Sequence, residues 1–206
     1  MFNDRYGLTQ AVLDGTKTMT RRVIPELLNV EDNDISDWGL TDGGKAMITL
    51  YEGGRPTTDI FPAYQPGEVV AVAQSYKSVF EESLNYALPR YHWLDDHIDD
   101  KGFGNKLFVK ASEMPHQIQI TDVKIERLQY ISEEDCLREG IQEYFPYIDR
   151  DPNDKVRTFQ YFKDGKIRHR ISPASKCFAY LIDDISGKGT WESNPYVFAY
   201  SFKLIK

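Results

Sequence analysis

The chain has 206 residues, of which 41% are hydrophobic and 28% are charged, the balance of an ordinary globular protein. Its formal net charge of −7, from 25 basic and 32 acidic residues, argues against a dedicated non-specific nucleic-acid binder, which usually carries a basic excess. No apolar run approaches the roughly 20 residues of a membrane span, and the first residues do not form a signal peptide. The two cysteines, Cys136 and Cys177, form no C-x-x-C pair and predict buried, reduced thiols. We therefore expect a cytoplasmic protein without a membrane partner.

The first predicted element is a short helix over residues 8–14. Gly15 ends it, because glycine readily adopts the left-handed conformation that commonly closes a helix. A basic segment follows, in which hydroxyl and thioether side chains separate Lys17 from Arg21 and Arg22. We interpret this segment as a cationic loop whose side chains and spare backbone N–H groups bind an anion or a polarised carbonyl. A solvated basic turn is the alternative interpretation.

Several segments have the composition of strands. Residues 117–126 alternate apolar and polar side chains, as a half-buried strand does. Residues 68–73 form an apolar, β-branched run that predicts a buried strand. Three further strands are predicted at 45–51, 106–110 and 196–205.

Two more helices are predicted later in the chain. Ser132 and Asp135 resemble a capping box, which opens a helix that ends near Gly140. A second helix begins at Pro173 and ends before Gly187. Together with the strands, they predict a single α+β domain over residues 1–206. Three segments, 28–44, 78–104 and 142–170, lack a sustained hydrophobic period of a helix or a strand, and we interpret them as insertions.

Five segments in order resemble the ASCH domain family, a branch of the PUA-like superfamily. The first is Gly15-x-Lys17-x-x-Thr20-x-Arg22. The others are residues 66–69, 114–116, 125–141 and 191–198. The likeness is strongest to the phage- and prophage-associated ASCH proteins of bacteria. It covers the chain from end to end apart from the three insertions.

The resemblance implies a mostly antiparallel β-barrel with a few flanking helices, on which the glycine-lysine segment borders a cleft. PUA-like domains bind RNA or modified bases, so the implied function is recognition of RNA or a nucleoside-like ligand at this cationic cleft. The expected ligand contacts are Gly15, Arg21, Arg22, His116, Asn194 and Tyr196.

A second implied function is enzymatic, because some small bacterial ASCH proteins resemble N4-acetylcytidine amidohydrolases. The lysine, threonine and glutamate of those enzymes match Lys17, Thr20 and Glu139. In such a reaction a neutral lysine takes the proton of the threonine nucleophile, and the glutamate orients the lysine or protonates the departing amine. Simpler roles stay open: Lys17 binds a phosphate, Thr20 caps the next element, and Glu139 is an exposed helix-end carboxylate. A third possibility is a phage-derived interaction protein without ligand chemistry.

The chain departs from the family pattern at several positions. Gln74 occupies a position where many relatives have a glutamate, so an acid–base group is missing from the expected cleft. Tyr196 replaces a tryptophan and can still stack on a base, whereas His116 replaces an arginine and makes a phosphate contact pH-dependent. His92 and His97 lie in an acidic stretch, but histidines five residues apart do not share a helical face. We expect neither a metal nor another cofactor.

Overall fold

The computed structural model describes residues 2–28, 30, 35, 39–41, 45–85, 96–144 and 157–205, and these have mixed helix and strand content. The α-helices are α1 (Leu8–Leu13), α2 (Tyr76–Asn85), α3 (Lys101–Gly104), α4 (Glu133–Arg138), α5 (Ala174–Ser186) and α6 (Thr190–Ser193). The strands are β1 (Met19–Val23), β2 (Gly39–Leu40), β3 (Ala46–Glu52), β4 (Arg55–Ile60), β5 (Val69–Ala71), β6 (Gln117–Arg127), β7 (Gln142–Tyr144), β8 (Thr158–Lys163), β9 (Lys166–Ile171) and β10 (Tyr196–Leu204). No helix in the described part of the chain is long and apolar enough to cross a membrane.

The main sheet is antiparallel and has the strand order β1-β10-β6-β5. It curls into a half-barrel. The long pairing runs from Tyr196 opposite Arg127 to Leu204 opposite Ile118, with a bulge after Ser201. The predicted strands at 117–126 and 196–205 are therefore confirmed. They are neighbours in the sheet, and β5 extends it on the other side of β6.

Alternation along β10 separates two hydrophobic cores. Phe198 and Tyr200 pack in one core with residues of β6, whereas Val197 packs in the other with α5. We call these the Tyr200 face and the α5 face of the sheet. Residues directly opposite each other in neighbouring strands share a face. Since Thr20 pairs with Tyr200, it lies on the Tyr200 face, and the next residue of β1 lies on the α5 face.

Two smaller antiparallel sheets have the orders β2-β3-β4 and β7-β8-β9. The hairpin of β8 and β9 spans Thr158–Ile171 and so falls almost wholly in the segment 142–170, for which we predicted an insertion without regular hydrophobic periodicity. Its turn is Asp164-Gly165, and both residues have positive φ, at 52° and 70°. Asp-Gly is a strong hairpin signal for this turn geometry. The sequence therefore does indicate this hairpin, although its hydrophobic periodicity does not.

The strand predicted at 106–110 is wrong. Lys106–Phe108 forms a 3-10 helix, because the side chain of Asn105 accepts a hydrogen bond from the backbone N–H of Leu107. The strand predicted at 68–73 is shorter than expected, and Val69 is 52% exposed because β5 lies at the edge of its sheet. The predicted helices are confirmed, and the Ser132 hydroxyl caps α4 by accepting a hydrogen bond from the N–H of Asp135 at 3.1 Å.

Both cysteines are free and buried, as the sequence predicts. Burial raises the pKa of the Cys136 thiol and of the Cys177 thiol to about 12. Because the thiolate is the reactive form, we expect neither thiol of the native protein to react with a disulfide reagent at mildly alkaline pH. Both should react once the protein is denatured, as measured by the absorbance of the released thiolate. Rapid reaction of the native protein would contradict this prediction.

Candidate functional site

The segment after α1 has fewer spare backbone donors than the sequence predicts. The N–H groups of Gly15, Lys17 and Thr18 donate to the carbonyl oxygens of Val12, Ala11 and Arg138. From residue 19 the chain is β1, paired with β10. Gly15 has the predicted left-handed conformation, with φ of 72°. A backbone anion site at these positions is therefore ruled out by the hydrogen bonding.

Lys17 is buried, with only 2% of its side chain exposed. Its Nζ donates three hydrogen bonds of 2.7 Å each, to the carbonyl oxygens of Met19 and Glu139 and to Oε2 of Glu139. These bonds use all three donors of an ammonium group. Burial lowers the pKa of Lys17, and the carboxylate of Glu139 limits that fall.

Arg21 lies beside this pair and contacts three carboxylates. Its guanidinium is 3.2 Å from Oε1 of Glu139, 2.6 Å from Oε1 of Glu126 and 3.1 Å from Oδ2 of Asp135. Burial alone would lower the pKa of Arg21, but the three carboxylates together raise it. We call Lys17, Arg21, Glu139, Glu126 and Asp135 the ionic cluster. Its positive charges are compensated inside the protein, so they do not make the adjoining cleft strongly cationic.

The turn after α4 brings Glu139 to Lys17. Gly140 has φ of 104°, a conformation that side chains other than glycine rarely adopt. A Cβ atom at this position would lie 3.0 Å from Cδ2 of Leu8 and 3.8 Å from Cδ of Lys17. Glycine therefore lets the chain turn closely against α1 and the lysine side chain.

A cavity of about 420 Å³ opens on the Tyr200 face of the sheet. Its volume lies in the range of small-molecule sites. Thr20 and Arg22 line it from β1, and Glu26 lines it from the 3-10 helix that follows. Most of its wall is apolar, and the aromatic residues of the wall are Phe2, Phe61, Tyr64, Phe198, Tyr200 and Phe202. We call it the aromatic cavity.

A second cavity, of about 60 Å³, adjoins the ionic cluster. Lys17, Thr20 and Glu139 all line it, so the structure brings the three predicted catalytic residues to one space. That space holds roughly two water molecules. Thr20 and Arg22 also line the aromatic cavity and thus connect the two. Within the described part of the chain, no group forms a hydrogen bond with the Thr20 hydroxyl.

Asn194 and Tyr196 lie on either side of Pro195, which lines another cavity, of about 320 Å³, together with Arg21 and Arg22. The side-chain oxygen of Asn194 accepts a hydrogen bond from the N–H of Gln129 at 2.8 Å. The guanidinium of Arg127 lies 3.9 Å from the centroid of the Tyr196 ring. Neither residue is among those that line the aromatic cavity or the small cavity. Both contacts connect β10 to the end of β6 and the turn after it.

His116 contacts the carboxylate of Glu82. Its Nε2 is 2.8 Å from Oε1 of Glu82 on α2, and Nε2 of Gln74 donates to Oε2 of the same carboxylate at 3.1 Å. A carboxylate therefore lies beside Gln74, although the glutamate expected at that position is absent. Its negative charge disfavours the phosphate contact that was considered for His116.

His92 and His97 were considered as metal ligands because they lie in an acidic stretch. His92 lies in the range 86–95, outside the described residues. His97 contacts Asp100, with Nδ1 at 2.5 Å from Oδ2. Nε2 of the same ring is 3.6 Å from Oε2 of Glu113. In the described ranges, no group of three or more histidine, cysteine, aspartate or glutamate residues is arranged to hold a metal ion.

Most residues that shape the aromatic cavity were not predicted from the sequence. Phe61 and Tyr64 follow the hairpin of β3 and β4, and Glu26 had not been singled out. Phe61 and Tyr64 are 47% and 39% exposed, and aromatic rings three residues apart in a loop are the one signal that could have suggested them.

Comparisons of the chain with protein-family models, curated proteins and solved structures find no match.

Proposed function

We propose that this chain is an ASCH-type, PUA-like domain that binds RNA or a nucleoside-like ligand in the aromatic cavity. The observation that carries this proposal is the cavity itself, about 420 Å³ in volume and walled by aromatic side chains. Aromatic rings can stack on any nucleobase, because every base has a π-face. The curled antiparallel sheet supports the PUA-like assignment.

The polar groups of the cavity suit a base edge. Thr20 contributes a hydroxyl that both donates and accepts, and Arg22 contributes a guanidinium to the wall. Tyr64 and Tyr200 lie in the wall with their ring centroids 5.9 Å apart in an edge-to-face arrangement. A planar ligand can contact the exposed Tyr64 ring while its edge faces β1.

Replacing Tyr64 with alanine should weaken ligand binding about tenfold or more, since one base–aromatic contact is lost. Isothermal titration at low salt with ribonucleosides and short oligoribonucleotides measures the change. Arg22→Ala should also weaken binding. The matched control is Tyr130→Ala, because Tyr130 is 74% exposed and does not line the cavity. If the unaltered protein binds none of these ligands, the proposal is wrong.

A second candidate function is hydrolysis of N4-acetylcytidine or a similar small N-acyl amide. The observation that favours it is the shared small cavity of Lys17, Thr20 and Glu139. Thr20 also reaches the aromatic cavity, where the base of such a substrate would lie. The reaction then takes place at the junction of the two cavities, with the ionic cluster behind the nucleophile.

A further inference from the structure

Two oppositely charged side chains line the aromatic cavity among the described residues. Arg22 is the cation and Glu26 is the anion. Lys17 and Arg21 do not line this cavity, and the carboxylates of the ionic cluster compensate them. The described wall of the cavity therefore combines a guanidinium with a carboxylate and has no excess of positive charge.

Glu26 is exposed and available to a ligand. In the described ranges, no side chain forms an ion pair or hydrogen bond with its carboxylate. A carboxylate accepts N–H donors but repels a phosphate. The whole chain has a formal net charge of −7, which adds to this repulsion.

We infer that the aromatic cavity selects an uncharged nucleoside or free base over a phosphorylated ligand, with Glu26 as the specificity-determining residue. This inference rests on the proposed function and narrows its ligand class. A phosphate brought to the apolar wall loses hydration, and a single arginine offset by a carboxylate does not replace it. A neutral base loses less hydration and gains the aromatic contacts.

The test compares each ribonucleoside, and N4-acetylcytidine, with its 5′-monophosphate by isothermal titration of the full chain. The nucleoside should bind at least about tenfold more tightly than its monophosphate. The dissociation constant of the nucleoside should change little with added salt, because a nucleoside carries no phosphate. A short oligoribonucleotide should bind no more tightly than the best nucleoside.

Glu26→Gln is the decisive variant, since glutamine keeps an acceptor oxygen and removes the charge. It should raise monophosphate affinity severalfold and bring the ratio of nucleoside to monophosphate affinity closer to one. The control is Glu192→Gln, which removes an equal charge from the exposed surface of α6, away from the cavity. This control should leave the ratio of the two affinities unchanged.

The outcomes separate this inference from the proposed function. Monophosphates that bind as tightly as nucleosides, or a ratio unaffected by Glu26→Gln, would overturn the inference while the proposed binding function holds. If neither nucleosides, monophosphates nor the oligoribonucleotide bind, the proposed function itself fails and the inference fails with it.

Discussion

Replacing Glu139 with alanine is expected to lower the free energy of unfolding by about 3–5 kcal/mol, because the change leaves a buried charge without its partner. Lys17 and Arg21 are only 2% and 1% exposed at their side chains, and both contact the Glu139 carboxylate. Arg21 keeps Glu126 and Asp135 after the change. Lys17 loses its one carboxylate partner and retains two carbonyl oxygens. Urea denaturation followed by circular dichroism measures the loss.

Variants that replace the charged side chains of this pair with methionine test whether the loss of stability comes from an unpaired buried charge. Lys17→Met should cost less than Glu139→Ala, since Glu139 still contacts Arg21 when Lys17 is removed. The double variant Lys17→Met/Glu139→Met should recover part of the loss, because apolar side chains of similar size can replace a buried pair. Arg5→Ala is the control, as the Arg5–Asp164 pair is 59% and 55% exposed and should contribute little. A Glu139→Ala protein as stable as the Arg5→Ala protein would contradict the prediction.

The sheet could be predicted from local patterns. The alternation at 117–126 reflects the two-residue period of side chains in a strand, and the apolar run at 196–205 reflects a buried strand. Both are local signals. Helix α4 was predicted from its capping residue, also a local signal. The strand predicted at 106–110 failed because a short apolar run does not by itself determine a strand. There Lys106 is held instead by Asp4 and the carbonyl oxygen of Phe2.

The environment of the candidate site could not be predicted in the same way. Lys17 and Arg21 were expected in a cationic loop, yet both are buried against carboxylates. The partner of Lys17 lies 122 residues further along the chain, so no local pattern shows the pair. The same holds for the aromatic cavity, where Phe61 and Tyr200 come together only because β10 curls beside the loop after β4. The sequence suggested candidate residues for a functional site, but not which of their charges are compensated.

If the chain is an amidohydrolase, Thr20→Val should reduce hydrolysis of N4-acetylcytidine by about a thousandfold or more, because valine keeps the shape and removes the nucleophile. The Thr20 oxygen attacks the acyl carbonyl, and Lys17 takes its proton. The carbon–nitrogen bond then breaks, the proton passes to the departing amine of cytidine, and water hydrolyses the threonine ester to acetate. Thr20→Ser, which keeps a hydroxyl, should retain part of the rate.

The pH dependence tests the role of Lys17. Only the neutral amine can accept the proton, and in the resting protein Nζ donates all three hydrogen bonds of an ammonium. Because burial lowers the pKa of Lys17 from 10.5, the rate should rise with pH and level off below that value. Glu139→Gln should cut the rate without removing ligand binding, provided that circular dichroism shows the variant folded.

Thr20→Val is the cleaner test, since Thr20 lies outside the ionic cluster and its replacement leaves the buried charges paired. Lys17→Met combined with Thr20→Val should be no slower than Thr20→Val alone, because residues that act as one unit fail together. Chromatography of free cytidine measures each rate against a buffer control. Turnover that persists in Thr20→Val, or that is absent from the unaltered protein, would contradict the role of Thr20 as a nucleophile.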